Sequence, residues 1–257
     1  MGPLMRDGTE PPQLVVTLAK SAWELREAQR LRYRVFADEC GIALPNRSAG
    51  IDADIFDPYC DHLIVRDIDS DDVVGTCRVL SPSQAREAGQ FYAETAFDLI
   101  NLKPLVPRMV ETGRLCIHRN YRRGGTILRL WAGLVQYLLT GGYEYLMGCA
   151  SISLVDGGSL AAGTYLSLRN TRPSPDYWRV VPHRRYPIAS HQHDGKPGLA
   201  PSAKEYLRLG AYICGEPSWN ERLNTADLLL LLPLSGMDPR YVRHFRGTPC
   251  HNHARVA

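Results

Sequence analysis

Apolar residues along this chain follow two rhythms, one close to two residues and one close to 3.6, and the switches between them predict its elements. Leu14 to Leu18 reads as a first strand, after which Leu25, Ala28, Leu31 and Val35 recur at helical spacing between Ser21 and Asp38. A loop rich in Pro, Asn and Gly runs from Gly41 to Gly50, followed by an acidic segment from Asp52 to Asp57. His62 to Asp67 and Val73 to Leu80 are β-branched runs either side of an Asp-rich turn, the mark of a charged hairpin. Residues 82–107 read as helix and then irregular chain ending in two prolines. Met109 to Ile117 reads as a strand, and the helix predicted from Thr126 to Leu139 carries Ile127, Leu130, Trp131, Leu134, Val135 and Leu138 on one stripe. Tyr145 to Leu154 is a further strand, with Asp156 placed to cap a helix from Leu160 to Leu168. Residues 172–201 form an irregular insert rich in Pro, His and Arg. Tyr206 to Cys214 is a strand or helix candidate, and Ala226 to Leu232 is a nearly continuous apolar run of the central-strand type. No repeat or separating linker interrupts the series, so one domain over 1–257 is expected, with a disordered leader over 1–12 and a flexible tail over 247–257.

Composition adds a class and removes others. With 257 residues, 44% hydrophobic and 22% charged, the chain has the makeup of a soluble globular protein with ample length for a core. Its net charge of +3 is small but uneven: Asp67, Asp69, Asp71 and Asp72 crowd one segment, Arg119, Arg122, Arg123 and Arg129 another. Seven cysteines stand singly, several within apolar runs, as reduced thiols do, which points to the cytoplasm. The opening residues lack the charged and apolar regions of a signal peptide, and no 18-residue apolar run reads as a membrane span. Peripheral contact with the inner membrane face stays open. His191 with His193, and Cys250 with His251 and His253, lack the second half of a structural-zinc spacing, so no metal is expected. The basic residues are few and not interleaved with aromatics, which argues against nucleic acid.

The stretch from Val110 to Gly125 carries the most chemistry. Glu111 and Arg114 sit on the predicted strand, and Arg122, Arg123, Gly124 and Gly125 form a turn opening onto a helix start. Amides of a first helical turn have no internal partners and face the positive end of the helix dipole, so such a turn can cradle phosphate. Strict alternation would set Glu111 and Arg114 on opposite faces. A bulge at Gly113 would shift the pleat by one and bring both into one cleft. A structural ion pair beside an ordinary strand-to-helix turn is the alternative reading.

At this point the chain resembles the GNAT-fold N-acyltransferases, most closely the ornithine N-alpha-acyltransferases of ornithine-lipid synthesis, a family also described as hemolysin-like. The resemblance spans most of the chain. It rests on Arg32 to Phe36, Asp54 and Asp57, Asp61 to Val65, Gly75 to Arg78, Glu111 to Leu115, Tyr206 to Ala211 and Asn224 to Leu228. The acyl-homoserine lactone synthases are more distantly similar at Arg32, Phe36, Asp54, Asp57, Arg78, Glu111 and Arg114, whereas the insert and the Asn224 to Asp227 region resemble the ornithine-lipid branch. The turn departs from the common GNAT pattern, Arg/Gln-x-x-Gly-x-Gly/Ala, by placing Ile127 where the second small residue stands. That departure suits the single phosphodiester of a carrier-bound phosphopantetheine better than coenzyme A.

The resemblance implies an α/β (α+β) fold with a mixed central sheet splayed by a bulge and flanked by helices. It implies acyl carrier protein and an amino acid acceptor as partners, with the carrier's phosphopantetheine as acyl donor and no tightly bound cofactor. Glu111 would be the base, direct or through water, and the bulge would free an N–H for the oxyanion. Asp54, Asp57, Arg78 and Arg114 would form a network shaping the acceptor pocket, or a purely structural one. Arg32 and Phe36 would line the acyl-side entrance, or simply pack. Arg122, Arg123, Gly124 and Gly125 would bind the phosphopantetheine. Arg119, Arg122, Arg123 and Arg129 would dock the acidic carrier protein, with Arg179, Arg184 and Arg185 extending the patch; an anionic lipid surface or plain solvent could face them instead. The product would be a long-chain, 3-hydroxyacyl amide of ornithine. A synthase with another acceptor such as tyrosine, a homoserine-lactone synthase and a non-catalytic binding module are the alternatives.

Overall fold

The structure, a computed structural model, describes residues 12–42, 44, 49–123, 125–188 and 199–246. The leader before residue 12, Gly124, both histidines of the 191–193 pair and the tail with Cys250 lie outside the described residues.

An eight-stranded sheet organises the described chain. Along it run β1 (Leu14–Leu18), β2 (Asp61–Asp67), β3 (Val73–Leu80), β5 (Met109–Ile117), β6 (Tyr145–Ser153), β10 (Thr225–Pro233) and β8 (Tyr212–Ile213), with β9 (Ser218–Asn220) also on β10. Every pairing is antiparallel except β5 with β6. A separate pair, β4 (Phe97–Asp98) with β7 (Val181–Pro182), ties the 172–201 insert to the segment before β5. Helices α1 (Ala22–Tyr33), α2 (Pro82–Glu87), α3 (Thr126–Thr140), α4 (Ser159–Thr171), α5 (Pro201–Leu209) and α6 (Pro239–Arg246) complete the set.

Alternation along the strands divides the core. Leu63, Val65, Cys77, Val79, Val110 and Ala150 bury their side chains with Leu130, Trp131 and Leu134 of α3 and Tyr206 of α5. The intervening Ile64 and Cys116 pack instead with Ala28 and Leu31 of α1. Leu80, Met109, Met147, Leu229 and Leu231 form a third cluster with Phe91, Phe97 and Leu102 from the segment before β5. Period-two sequences thus place a helical layer on one face, and α1 plus an irregular layer on the other.

Several predicted elements shift once tertiary contacts act. The helix expected to Asp38 ends as α-helix at Tyr33 and continues as π-helix over Arg34–Glu39. Such a change of hydrogen-bond register leaves no trace in apolar spacing. Asp156 is not the N-cap of α4; Gly158 is, at φ 85°, and the Asp156 carboxylate accepts from Gly158 N (2.9 Å) and Leu160 N (2.8 Å) from two residues outside. The Tyr206 to Cys214 run divides at Gly210, whose φ of 105° closes α5 before β8 begins.

The sheet opens between β5 and β6. Their ladder joins Met109–Thr112 to Tyr145–Gly148 and stops there. Beyond it β5 stays on β3 to Ile117, while β6 follows β10 to Ser153. Thr76 faces Cys116 and Arg78 faces Gly113, so β5 carries one residue more than β3 across that interval. An extra residue bends its strand and raises the local twist, which separates β5 from β6. The left-handed residue of the bulge is Arg114, at φ 52°, and not Gly113 as expected. A non-glycine residue there costs about 1–2 kcal/mol, and the contacts of its guanidinium, described below, offset that cost.

At the last rung of the ladder a Cβ on Gly148 would meet Tyr206 Oη at 2.1 Å and the Thr112 carbonyl oxygen at 3.0 Å. Tyr206 is buried and one of its neighbours there is backbone, so neither side yields cheaply. Gly148→Ala is expected to lower stability by about 1–3 kcal/mol, read as a fall in Tm of roughly 2–12 °C for a chain of this size. An unchanged Tm would show that the split tolerates a wider rung.

Candidate active site

The open end of the split is a cavity of about 480 Å³, counting its solvent-facing mouth, lined by Arg78, Leu80, Tyr92, Glu111, Thr112, Gly113, Arg114, Cys149 and Ser151. Glu111 and Arg114 therefore share one cleft. The amides on the β6 side of β5 after Thr112 have no strand partner, since that ladder has ended.

Glu111 is 4% exposed. Its Oε2 accepts from Tyr92 N at 2.6 Å and its Oε1 from Ala93 N at 2.8 Å, so the carboxylate holds the first turn of the 3-10 helix Tyr92–Thr95 against the sheet. Burial raises the Glu111 pKa to about 7, against the opposing pull of those amides and of Arg78. A carboxyl poised near neutrality beside an open cleft can take and return a proton at working pH.

Beneath the cleft lies a closed ring of alternating charges. Arg32 pairs with Asp52 (3.0 Å) and Asp57 (2.6 Å), Arg78 with Asp57 (3.0 Å) and Asp54 (2.6 Å), and Arg114 with Asp54 (3.2 Å) and Asp52 (3.2 Å). The Asp52 contacts lie at ion-pairing distance without hydrogen-bond alignment. Three arginines and three aspartates cancel, which makes the burial of Arg32, Asp52, Asp57 and Arg78 and the partial burial of Asp54 and Arg114 tolerable. Burial pushes the Asp57 carboxyl up, but the hydrogen bond and charge of Arg32 and the charge of Arg78 outweigh it and hold Asp57 well below the usual range. The Tyr92 ring lies 5.6 Å from the Arg78 guanidinium and 5.7 Å from that of Arg114, a cation–π contact with each. The ring joins α1, the 52–57 loop, β3 and β5, and anchors Arg114 in its left-handed conformation.

The structure places the remaining expected residues differently from one another. Arg32 is fully buried in the ring and lines no entrance. Phe36, in the π-helical segment, packs on the cluster of Ala28, Leu31 and Ile64 and is not part of the cleft wall. Gly125 is the N-cap of α3 at φ 83° and, as a glycine, brings no capping side chain to that helix start. Arg122 pairs with Glu39 and donates from Nε to the Ile117 carbonyl at 3.2 Å. Arg119 and Arg123 are exposed nearby, and Arg129, one turn into α3, reaches the Leu14 carbonyl at 3.2 Å. Asp52 was not among the expected site residues, although its place two residues before Asp54 in the acidic segment was a signal for it, whereas Tyr92, Cys149 and Ser151 carry no sequence signal because their place depends on how the strands part. Among the described residues no group of His, Cys, Asp and Glu could hold a metal ion.

A mixed sheet parted at a bulge, with a glycine-led helix start beyond it and a buried carboxyl in the opening, defines a GNAT-type acyltransferase, and residues 31–132 match the acetyltransferase (GNAT) domain family. The fold is also that of a CoA-dependent acyl-homoserine lactone synthase, BjaI (TM-score 0.52, 12% identity, 91% of this chain and 88% of that one). It is shared as well with FeeM, an N-acyl amino acid synthase from uncultured soil microbes (TM-score 0.52, 13% identity, 87% and 92%). The chain belongs to the family of L-ornithine N(alpha)-acyltransferases. It is 34% identical to the Rhodobacter capsulatus protein of that name over 90% of its own length and 94% of the relative's. It is 33% identical to the Brucella abortus protein over 90% and 88%. No helix among the described residues is long and apolar enough to cross a membrane.

Proposed function

We propose that this protein transfers a long, 3-hydroxylated acyl group from the phosphopantetheine thioester of acyl carrier protein to the alpha-amine of ornithine, at the inner face of the membrane or in the cytoplasm beside it. The observation that carries the reading is the buried Glu111 carboxyl, titrating near 7 at the mouth of the β5/β6 split. Relatives named for ornithine supply the acceptor.

In this reading the pantetheine arm enters the split along the unpaired edge of β5, and its thioester carbonyl oxygen meets a free β5 amide. Glu111 removes a proton from the acceptor's ammonium, directly or through water. The amine attacks the carbonyl carbon, the C–S bond breaks, and the carrier thiolate leaves with the second amine proton. The amide and a free thiol are the products. An alpha-amine with a pKa of about 8 costs only about 1.4 kcal/mol to deprotonate at pH 7, whereas alignment of two substrates supplies about 7–11 kcal/mol. Positioning by the cleft and its charge ring dominates. Arg119, Arg122, Arg123 and Arg129 face the acidic carrier, and the first amides of α3 with Gly125 and Arg123 meet its phosphodiester.

Incubation with a 3-hydroxyacyl carrier protein and a panel of amino acids tests this. The amide of ornithine is the expected product, with the coenzyme A thioester a poorer donor. The double reversal Arg119→Glu with Arg123→Glu is expected to raise KM for the acyl carrier by about tenfold and to flatten its salt dependence, with kcat unchanged. No amide with ornithine would overturn the reading, as would equal use of both donors by the wild type and the double variant for the carrier.

A further inference from the structure

One arginine of the charge ring is held more loosely than the other two, and it lines the cleft. Arg32 and Arg78 each meet a carboxylate oxygen at 2.6 Å, and their side chains are 0% and 5% exposed. Arg114 meets both of its aspartates at 3.2 Å and is 19% exposed. A guanidinium carries five N–H donors. Among the described residues Arg114 uses one of them in a hydrogen bond, from Nη2 to Asp54 Oδ2, and its Nε stands 3.2 Å from Asp52 without the alignment of one. Donors left without partners in a largely buried group are unfavourable. So is a left-handed backbone at an arginine when Gly113 stands one place before it. Two such costs at one residue beside an open cleft point to a place kept for a ligand.

We infer that Arg114 binds the carboxylate of the amino acid acceptor, so that the enzyme takes alpha-amino acids and discriminates against amines of the same size that lack a free carboxylate. The inference rests on the proposed reaction and names how that site recognises its acceptor. Glu111 and Arg114 belong to one strand, line one cavity and both touch Tyr92: Glu111 Oε2 accepts from Tyr92 N at 2.6 Å, and the Arg114 guanidinium lies 5.7 Å from the Tyr92 ring. Three residues along a single strand set their Cα atoms at most about 10 Å apart, with no strand spacing between them, and their side chains converge on the same tyrosine. The nitrogen and carboxylate of an alpha-amino acid sit on one carbon, about 3 Å apart. With a hydrogen bond of about 2.8 Å at each end, the molecule bridges about 9 Å. An ammonium at Glu111, met directly or through water, therefore brings the carboxylate to the Arg114 side. There a guanidinium can give it two parallel N–H bonds. Arg78 also lines the cavity, but its Nη1 is already divided between Asp54 at 2.6 Å and Asp57 at 3.0 Å, and drawing it away would open the ring.

The experiment compares ornithine with ornithinamide, in which a neutral carboxamide replaces the carboxylate at nearly equal size. Wild type should favour ornithine in kcat/KM by about 10- to 100-fold, chiefly through KM. Arg114→Lys keeps a cation beside Asp52 and Asp54 but loses the fork, and should cut that preference about tenfold. A structural role alone would weaken both acceptors together and leave the ratio intact, and that result overturns the inference. So does a wild type without preference, which is read independently of how well the variant folds. A structure of wild type with ornithine bound gives a third reading: the carboxylate is expected within about 3.2 Å of the Arg114 guanidinium, and a carboxylate held elsewhere overturns the inference. Acylation of ornithine and ornithinamide with equal efficiency defeats only the inference. Absence of amide on every alpha-amino acid defeats the proposed reaction first, and this inference with it.

Discussion

Glu111→Gln is expected to lower kcat for amide formation by about 10²- to 10⁴-fold, the range for loss of a positioned base. The Gln side chain keeps the length of Glu and one carbonyl oxygen for Tyr92 N or Ala93 N, while the proposed proton acceptor is gone. The pH profile separates this from damage to the 92–95 turn. Wild type should gain activity as pH rises through about 7, where burial has placed the carboxyl; the variant should keep only the titration of the acceptor amine near 8. Stability moves the opposite way. Because the folded pKa lies above the ordinary value of 4.5, the folded state favours the proton. That contribution is complete below about 4.5 and is lost as pH rises through about 7, about 3 kcal/mol in all. Thermal melts from pH 4.5 to 8 should show this decline in wild type and its absence in the variant. Retention of the limb near 7 in Glu111→Gln would assign that limb to another group.

Asp57→Asn should destabilise the fold by about 3–5 kcal/mol, because removal of one partner from a buried ion pair leaves uncompensated charge. Asp57 is 3% exposed and joins Arg32, fully buried, to Arg78, so its loss turns a neutral ring into one with an excess positive charge. The fall in Tm is roughly 6–20 °C. Glu144→Gln is the control: its pair with Arg108 is half exposed on both sides, and such pairs contribute about 0–1 kcal/mol. Asp57 is depressed on folding, so its contribution is present above the ordinary carboxylate pKa of 3.8 and is lost only as pH falls below it. The gap in Tm between wild type and Asp57→Asn should hold from pH 5 to 8 and narrow in acid. A gap no larger than that of Glu144→Gln would show that the ring is dispensable for stability.

The resemblance to ornithine acyltransferases was readable because the Arg32, Asp54, Asp57, Arg78 and Arg114 positions each sit at a fixed place within a short motif. The resemblance also implied a network of Asp54, Asp57, Arg78 and Arg114; its closure into a ring by Arg32 and Asp52 was not readable, since α1 and the 52–57 loop meet β3 and β5 only when the chain packs together. The same limit applies to Phe36: its helical spacing announces a buried face but does not say whether that face borders a cleft or a core, and it borders a core.

By itself the sequence determined what is local. β5 runs from Met109 to Ile117 as the alternation predicts, β3 from Val73 to Leu80, and α3 begins at Thr126, because pleat and helix periods follow from near neighbours in the chain. Tertiary structure decided where the strands part. The extra residue falls at Arg114 and not at Gly113, since a guanidinium held by Asp52 and Asp54 can maintain a backbone conformation for which glycine is the local preference. It also decided the acidity of Glu111, because burial is a property of everything packed around a group, and no stretch of neighbouring residues encodes it.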